Sequence, residues 1–135
     1  LLGGTEMMKK WKFIVCSMLA VILLAACGNK VDKETEGKFI EKAEEVVHLL
    51  NDGKFDKIME QLNDNMKANL TAEQLAEMIT PVLEESGSYK GIKKQSVQEK
   101  DGIIVVVLVG EYSEEDRIYT VSYDEEERIA GLFVQ

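Results

Sequence analysis

Apolar residues in this chain change their spacing three times, and each change marks a different kind of segment. Residues 13–23 are almost continuously apolar, interrupted only by Cys16 and Ser17. Residues 28–36 are polar without periodicity. From residue 37 to 52, Phe39, Ile40, Ala43, Val46, Val47 and Leu50 recur at three- and four-residue intervals with Glu41, Glu44 and Glu45 between them. That spacing predicts an amphipathic helix, ended by Gly53 as a left-handed C-terminal cap. Phe55, Ile58, Met59 and Leu62 repeat the pattern over a shorter stretch, before Asn63-Asp64-Asn65 breaks it. A third helix has the best-defined start. Thr71 and Gln74 form a capping-box pair, with Leu70 and Leu75 as a hydrophobic staple. Leu75, Met78, Ile79, Val82 and Leu83 then line one face. Pro81 inside that run predicts a kink or an early end, and Gly87 marks the exit.

Beyond residue 89 the period falls to two. Strands are predicted over 89–99, 103–112, 117–123 and 129–134, with turns at 100–102, 113–116 and 124–127. Asp101-Gly102 is a hairpin signal. The expected architecture is α+β: N-terminal helices packed on a four-stranded antiparallel meander, residues 37–135 forming one domain. Residues 103–109 are apolar on both faces of their strand, and only one face can meet the helices. The other is covered by long neighbouring side chains, or is an exposed patch that marks a homodimer or protein-partner surface.

The apolar run at 13–23 is too short to span a bilayer, which needs about 20 residues. Lys9, Lys10 and Lys12 precede it, and Leu24-Ala25-Ala26-Cys27 follows. That order reads as a bacterial lipoprotein signal peptide over 1–26, cleaved before Cys27, whose thiol then carries the lipid. Residues 1–6, with Glu6 among them, fit an n-region poorly and read as lying upstream of a start at Met7 or Met8. Residues 27–36 would then be lipid anchor and flexible tether. The expected location is the extracytoplasmic face of the cell membrane, held there through the lipid on Cys27.

Charge narrows the partners. Of 16 basic residues three precede Cys27, and of 25 acidic residues one does, leaving 13 against 24 and a net charge of −11 from Cys27 onward. A domain this acidic repels nucleic-acid phosphates and anionic headgroups, so the lipid rather than a protein face is expected to hold it at the membrane. With Cys16 in the signal peptide and Cys27 acylated, no cysteine remains for a disulfide.

Candidate chemistry is sparse. His48 is the only histidine, it adjoins Val47 and Leu49, and it has no cysteine or second histidine to join it on zinc. The carboxylate runs 114–116 and 124–127 lack calcium-loop spacing and read as solvated hairpin tips. No metal site and no cofactor is expected. No G-x-S-x-G elbow is present. Tyr119 and Tyr123 share one strand face with Arg117 and Val121, and Tyr112 ends the preceding strand. Tyr112, Tyr119 and Tyr123 are therefore candidate ligand-binding residues lining a pocket, or else core aromatics with hydroxyls at the rim. An acid–base site would add a buried carboxylate, for which Asp56, Glu60 and Glu111 are the nearest residues.

Several local patterns together carry a resemblance. Asp52-Gly53-Lys54-Phe55 stands ahead of a short helix, and residues 66–70 lead into Thr71-Ala72-Glu73-Gln74-Leu75. Gly87-Ser88-Tyr89 opens a strand, and Tyr123-Asp124 through Ile129-Ala130-Gly131-Leu132-Phe133 closes the chain. The sequence resembles the bacterial lipoproteins of the domain-of-unknown-function 3887 family. The resemblance implies a curved sheet wrapped around helices, a cone-shaped roll similar to nuclear-transport-factor-2-like (cystatin-like) domains. Such rolls often hold a pocket for a small molecule and often dimerise through the sheet. It transfers no catalytic residue. The leading expectation is a non-enzymatic ligand- or protein-binding lipoprotein. The alternatives are a small-molecule enzyme using a pocket of the roll, or a structural accessory to another envelope protein.

Overall fold

The computed structural model describes residues 29–135; the expected signal peptide and Cys27 lie outside them. Its first element is a strand that residue patterning does not announce. β1 (Asn29–Lys30) pairs antiparallel with the edge of β2 (Tyr89–Lys100), Asn29 opposite Glu99 and Lys30 opposite Gln98. The sheet therefore has five strands rather than four, in the order β1-β2-β3-β4-β5, all antiparallel, with β3 (Ile103–Tyr112), β4 (Arg117–Tyr123) and β5 (Ile129–Val134). A polar two-residue strand buries nothing and pairs through its backbone groups, so hydrophobic periodicity has no purchase on it.

The stretch expected as a tether is ordered from Asn29, and α1 (Lys33–Asn51) begins six residues before its apolar stripe opens at Phe39. Its first turn is polar, with Glu34 and Glu36 where the helix dipole favours negative charge. Phe39, Ile40, Ala43, Val46, Val47 and Leu50 form the buried face. The helix ends as its sequence predicts, with Gly53 at φ +72°. α2 (Phe55–Gln61) buries Ile58, and the buried Leu62 after it forms an isolated bridge with Ile129.

α3 (Asp64–Asn69) occupies the stretch expected to be a break. The Asn63 side chain accepts a hydrogen bond from the Met66 amide at 2.9 Å, so the residue that ends one helix caps the next. α4 (Ala72–Ser86) opens on the expected capping box: the Gln74 amide donates to Thr71 Oγ1 at 3.1 Å, and the Thr71 amide donates to Gln74 Oε1 at 3.0 Å. It continues unbroken through Pro81. Glu77, Met78 and Pro81 are all exposed, so the carbonyl that loses its donor is within reach of water.

Asp101 (φ +53°) and Gly102 (φ +81°) make the two-residue hairpin turn between β2 and β3. Irregularities in β2 at Tyr89/Gly91 and Ile92/Lys94 break the ladder locally, as bulges that bend a strand do. The inner face of β3 and β4 (Val106, Leu108, Tyr112, Tyr119, Val121 and Tyr123) closes with α1 and Ile129 into one core. Among the described residues no helix is long and apolar enough to cross a membrane.

Candidate functional site

Tyr112, Tyr119 and Tyr123 all point inward, at 4, 0 and 1% exposure. Tyr112 and Tyr119 sit on neighbouring antiparallel strands around Gly110. A Cβ at position 110 would stand 3.1 Å from a ring carbon of each, so the missing side chain makes room for the pair. Their hydroxyls are in direct hydrogen-bond contact. The Tyr112 hydroxyl donates to Asn51 Oδ1 at 3.0 Å, and Asn51 Nδ2 donates to the Val47 carbonyl at 2.8 Å. The phenols thus hang in a closed chain from the last turn of α1, with the Tyr119 hydroxyl as its inner end.

Electrostatics agree with this structural role. Burial, and then the neighbouring Tyr112 hydroxyl, push the Tyr119 phenol well above its ordinary range. Burial, reinforced by Glu45, does the same to Tyr123. Both stay protonated where an acid–base catalyst would have to ionise. The Tyr123 ring packs on Phe39 with centroids 5.2 Å apart, Lys42 Nζ lies 5.7 Å from its centre, and its hydroxyl has no hydrogen-bond partner among the described residues.

Of the three carboxylates nearest in sequence logic to a base, Asp56 and Glu60 are exposed and Glu111 is half-exposed. The carboxylates with resolved shifts move down: Asp116 through its hydrogen bond from Lys93, Asp124 through backbone donors led by Arg128, and Glu127 through Lys38. Asp124 accepts from the amides of Glu126 and Arg128 at 2.9 and 3.0 Å, organising the turn between β4 and β5 from within. The acidic tips are therefore built as turns. Among the described residues no group of three His, Cys, Asp or Glu is placed to hold a metal ion.

A groove of about 530 Å³ opens between the C-terminal ends of α1 and α4, with His48, Asn51, Phe55, Leu83 and Tyr89 in its lining. His48 is exposed and meets the Tyr89 ring edge-on at 5.8 Å. Burial, then Tyr112 and Glu44, raise the Tyr89 phenol. Sequence reasoning set His48 aside and did not single out Tyr89 or Asn51; no local pattern marks either.

Two further residues hold the groove's wall. Arg117 Nε donates to the buried Ser86 hydroxyl at 2.5 Å, which donates in turn to the Val82 carbonyl at 2.7 Å. Gly87 follows at φ +85° and ψ −148°, and a Cβ there would collide with Ser113 Oγ.

The outer face of the sheet differs from this closed interior. Directly opposed residues share a face, which places Ser96, Val107, Thr120 and Phe133 in one row, and Lys94, Val109 and Ile118 in the next. Val105 and Ser122 continue it on the other side. Phe133 is 69% exposed and Ile118 39%; among the described residues no helix covers this face. The second apolar face of β3 is thus flanked by short side chains (Ser96, Thr120 and Ser122) and by long ones (Lys94, Gln98, Lys100 and Ile118) alike.

Residues 43–132 match the family described as "Protein of unknown function (DUF3887)". The chain belongs to that family. Its fold is similar to the NMR structure of a protein from Ruminococcus gnavus ATCC 29149, at 24% identity and a TM-score of 0.62, over 76% of this chain and 90% of that one. No curated protein matches the chain. These likenesses support an α+β domain of this family and assign it no reaction.

Proposed function

We propose that this family member is a lipid-anchored, extracytoplasmic, non-enzymatic interaction domain that works through the outer face of its sheet. The observation that carries the reading is the contrast between the two sheet faces. Inside, the tyrosine hydroxyls of residues 112 and 119 are consumed by one another and by Asn51. Outside, an apolar strip with Ile118 and Phe133 stands uncovered. An enzyme of the acid–base class would call for a carboxylate raised by burial beside a tyrosine, whereas the resolved carboxylate shifts run the other way. Anchoring is supported by the order of basic residues, short apolar run and Leu24-Ala25-Ala26-Cys27. The cone-shaped, nuclear-transport-factor-2-like roll is part of the same proposal, supported by helices preceding a bulged antiparallel meander.

The test has two parts. Metabolic labelling with a fatty acid should mark the protein, and Cys27→Ala should abolish the label. A photo-crosslinking residue at Thr120, in the centre of the outer face, should give a discrete adduct in intact cells, whereas the same residue at Glu77 on α4 should not. Absence of any adduct from Thr120 would count against the interaction reading, and a label that survives in C27A would count against the anchor.

A further inference from the structure

Charge is segregated across this fold in a way its net value conceals. The four helices carry twelve carboxylates against five lysines. The outer sheet face carries Lys30, Lys94 and Lys100, by their pairing with Gln98, Val109 and Ile103, against the single carboxylate of Glu111, while eight further carboxylates stand in the hairpin turns at the ends of the strands. None of these three lysines forms an ion pair among the described residues. They lie along β1 and β2, beside the apolar strip that ends in Phe133 on β5.

The anchor enters at the same edge. Cys27 precedes Asn29 by two residues, and Asn29 is fixed opposite Glu99. At no more than about 3.6 Å per residue, the acylated position stands within about 7 Å of β1. A lipid held that close leaves no long tether to lift the domain away. The edge nearest the bilayer is the cationic one, and it adjoins the exposed apolar strip.

Resting on the lipoprotein reading above, we propose that the partner of the outer sheet face is the phospholipid surface itself. The domain is seated sheet-down on anionic headgroups, with Phe133 and Ile118 at the acyl boundary and Lys30, Lys94 and Lys100 among the phosphates. The acidic helices do not prevent this. Their carboxylates project from the far side of a layer about 10–12 Å thick, beyond the Debye length of about 8 Å at physiological salt. Lysines close to such a surface each strengthen attachment about fivefold. The groove between α1 and α4 lies on the helical side and is left open to solvent.

The only tryptophan, Trp11, precedes Cys27, so the mature chain has none and accepts a single reporter. Acylated mature chain carrying Phe133→Trp or, on the exposed surface of α4, Met78→Trp is reconstituted into vesicles containing phosphatidylglycerol and bromine-labelled lipids. The seating predicts that bromine quenches the tryptophan at 133 several-fold more than that at 78. It also predicts that high salt, or Lys30→Gln with Lys94→Gln and Lys100→Gln, brings the two together. Vesicle-bound chain with equal quenching at both positions would overturn the seating and leave the anchor intact. Unquenched but blue-shifted emission at 133 with a dimer mass would overturn it in favour of a second copy of the chain. Chain recovered unacylated and free of the membrane would overturn anchor and seating together.

Discussion

Replacing Tyr112 by Phe and Tyr119 by Phe removes one hydroxyl in each case, yet the two should differ in cost. Tyr119 is the terminal donor of the hydrogen-bonded chain. Its loss deletes one neutral hydrogen bond, about 0.5–1.5 kcal/mol, while Tyr112 keeps its bond to Asn51. Tyr112 is the middle link. Without its hydroxyl, the buried Tyr119 phenol is left with only the Asn51 side chain within reach, a penalty of up to about 1–3 kcal/mol beyond the lost bond. Asn51 also loses its partner, but it is half-exposed and can turn to water. The expected cost of Y112F is therefore about 2–4 kcal/mol. The double variant should be no less stable than Y112F, because it removes the orphaned phenol, and this gives a strong non-additive coupling. Urea denaturation followed by circular dichroism would measure all four proteins, with m-values confirming that the unfolding reaction is unchanged. Equal costs for the two single variants, or a neutral Y112F, would refute the closed chain. Water would then have to reach the phenols, and the pocket-lining role of Tyr112 and Tyr119 would regain its footing.

Two other outcomes follow, one from the same core and one from the exit of α4. Tyr119 and Tyr123 hold their protons above the range in which an unfolded phenol ionises, near pH 10. Their contribution is complete below that pH and is lost as the pH rises above it, at about 1.4 kcal/mol per pH unit for each group. Denaturation midpoints at about pH 9 and about pH 11, with phenolate absorbance recorded alongside, would show the decline; a flat profile would mean these hydroxyls are solvated. Gly87→Ala places a side chain in backbone territory that only glycine enters comfortably, about 1–3 kcal/mol, and adds the collision with Ser113. A thermal melt should fall by several degrees, and an unchanged melt would show that the exit of α4 is not held as described.

What the sequence disclosed and what it withheld divide along the range of the interactions concerned. Thr71 and Gln74 are three residues apart, and Asp101-Gly102 is a turn within itself; both occur as expected because their partners are in view. The stripe on α1 and the alternation in β4 are equally local. Asn63 failed as a signal because the chemistry that breaks a helix also caps one, and only the amide of Met66 decides between them. β1 failed because its reason to exist is the edge of β2, some seventy residues away. The tyrosines fall between these cases. Alternation put Tyr119 and Tyr123 on one face with Arg117, but whether a phenol lines a cavity or closes a core depends on Asn51, 61 positions from Tyr112.

The net charge and the membrane seating proposed above pull in opposite directions. Averaged over the chain, a large acidic excess argues against any affinity of the protein surface for anionic lipid. Resolved by layer, the same residues describe an acidic helical side and a lysine-bearing sheet face. Protection of a sheet edge explains charged residues on β2, since β1 covers only two of its positions and charge deters another chain from pairing there. It does not explain their sign. Any charge would serve, and this chain favours carboxylates nearly everywhere else. Yet β2 carries Lys90, Lys93, Lys94 and Lys100 against Glu99 alone. Lys93 is committed to Asp116. Lys94 and Lys100 instead share the outer face with the apolar strip, on the strand beside which the proposed anchor enters. A surface that is cationic, apolar and adjacent to the proposed lipid attachment point has one feature edge protection lacks, which is complementarity to the bilayer that such an attachment would supply.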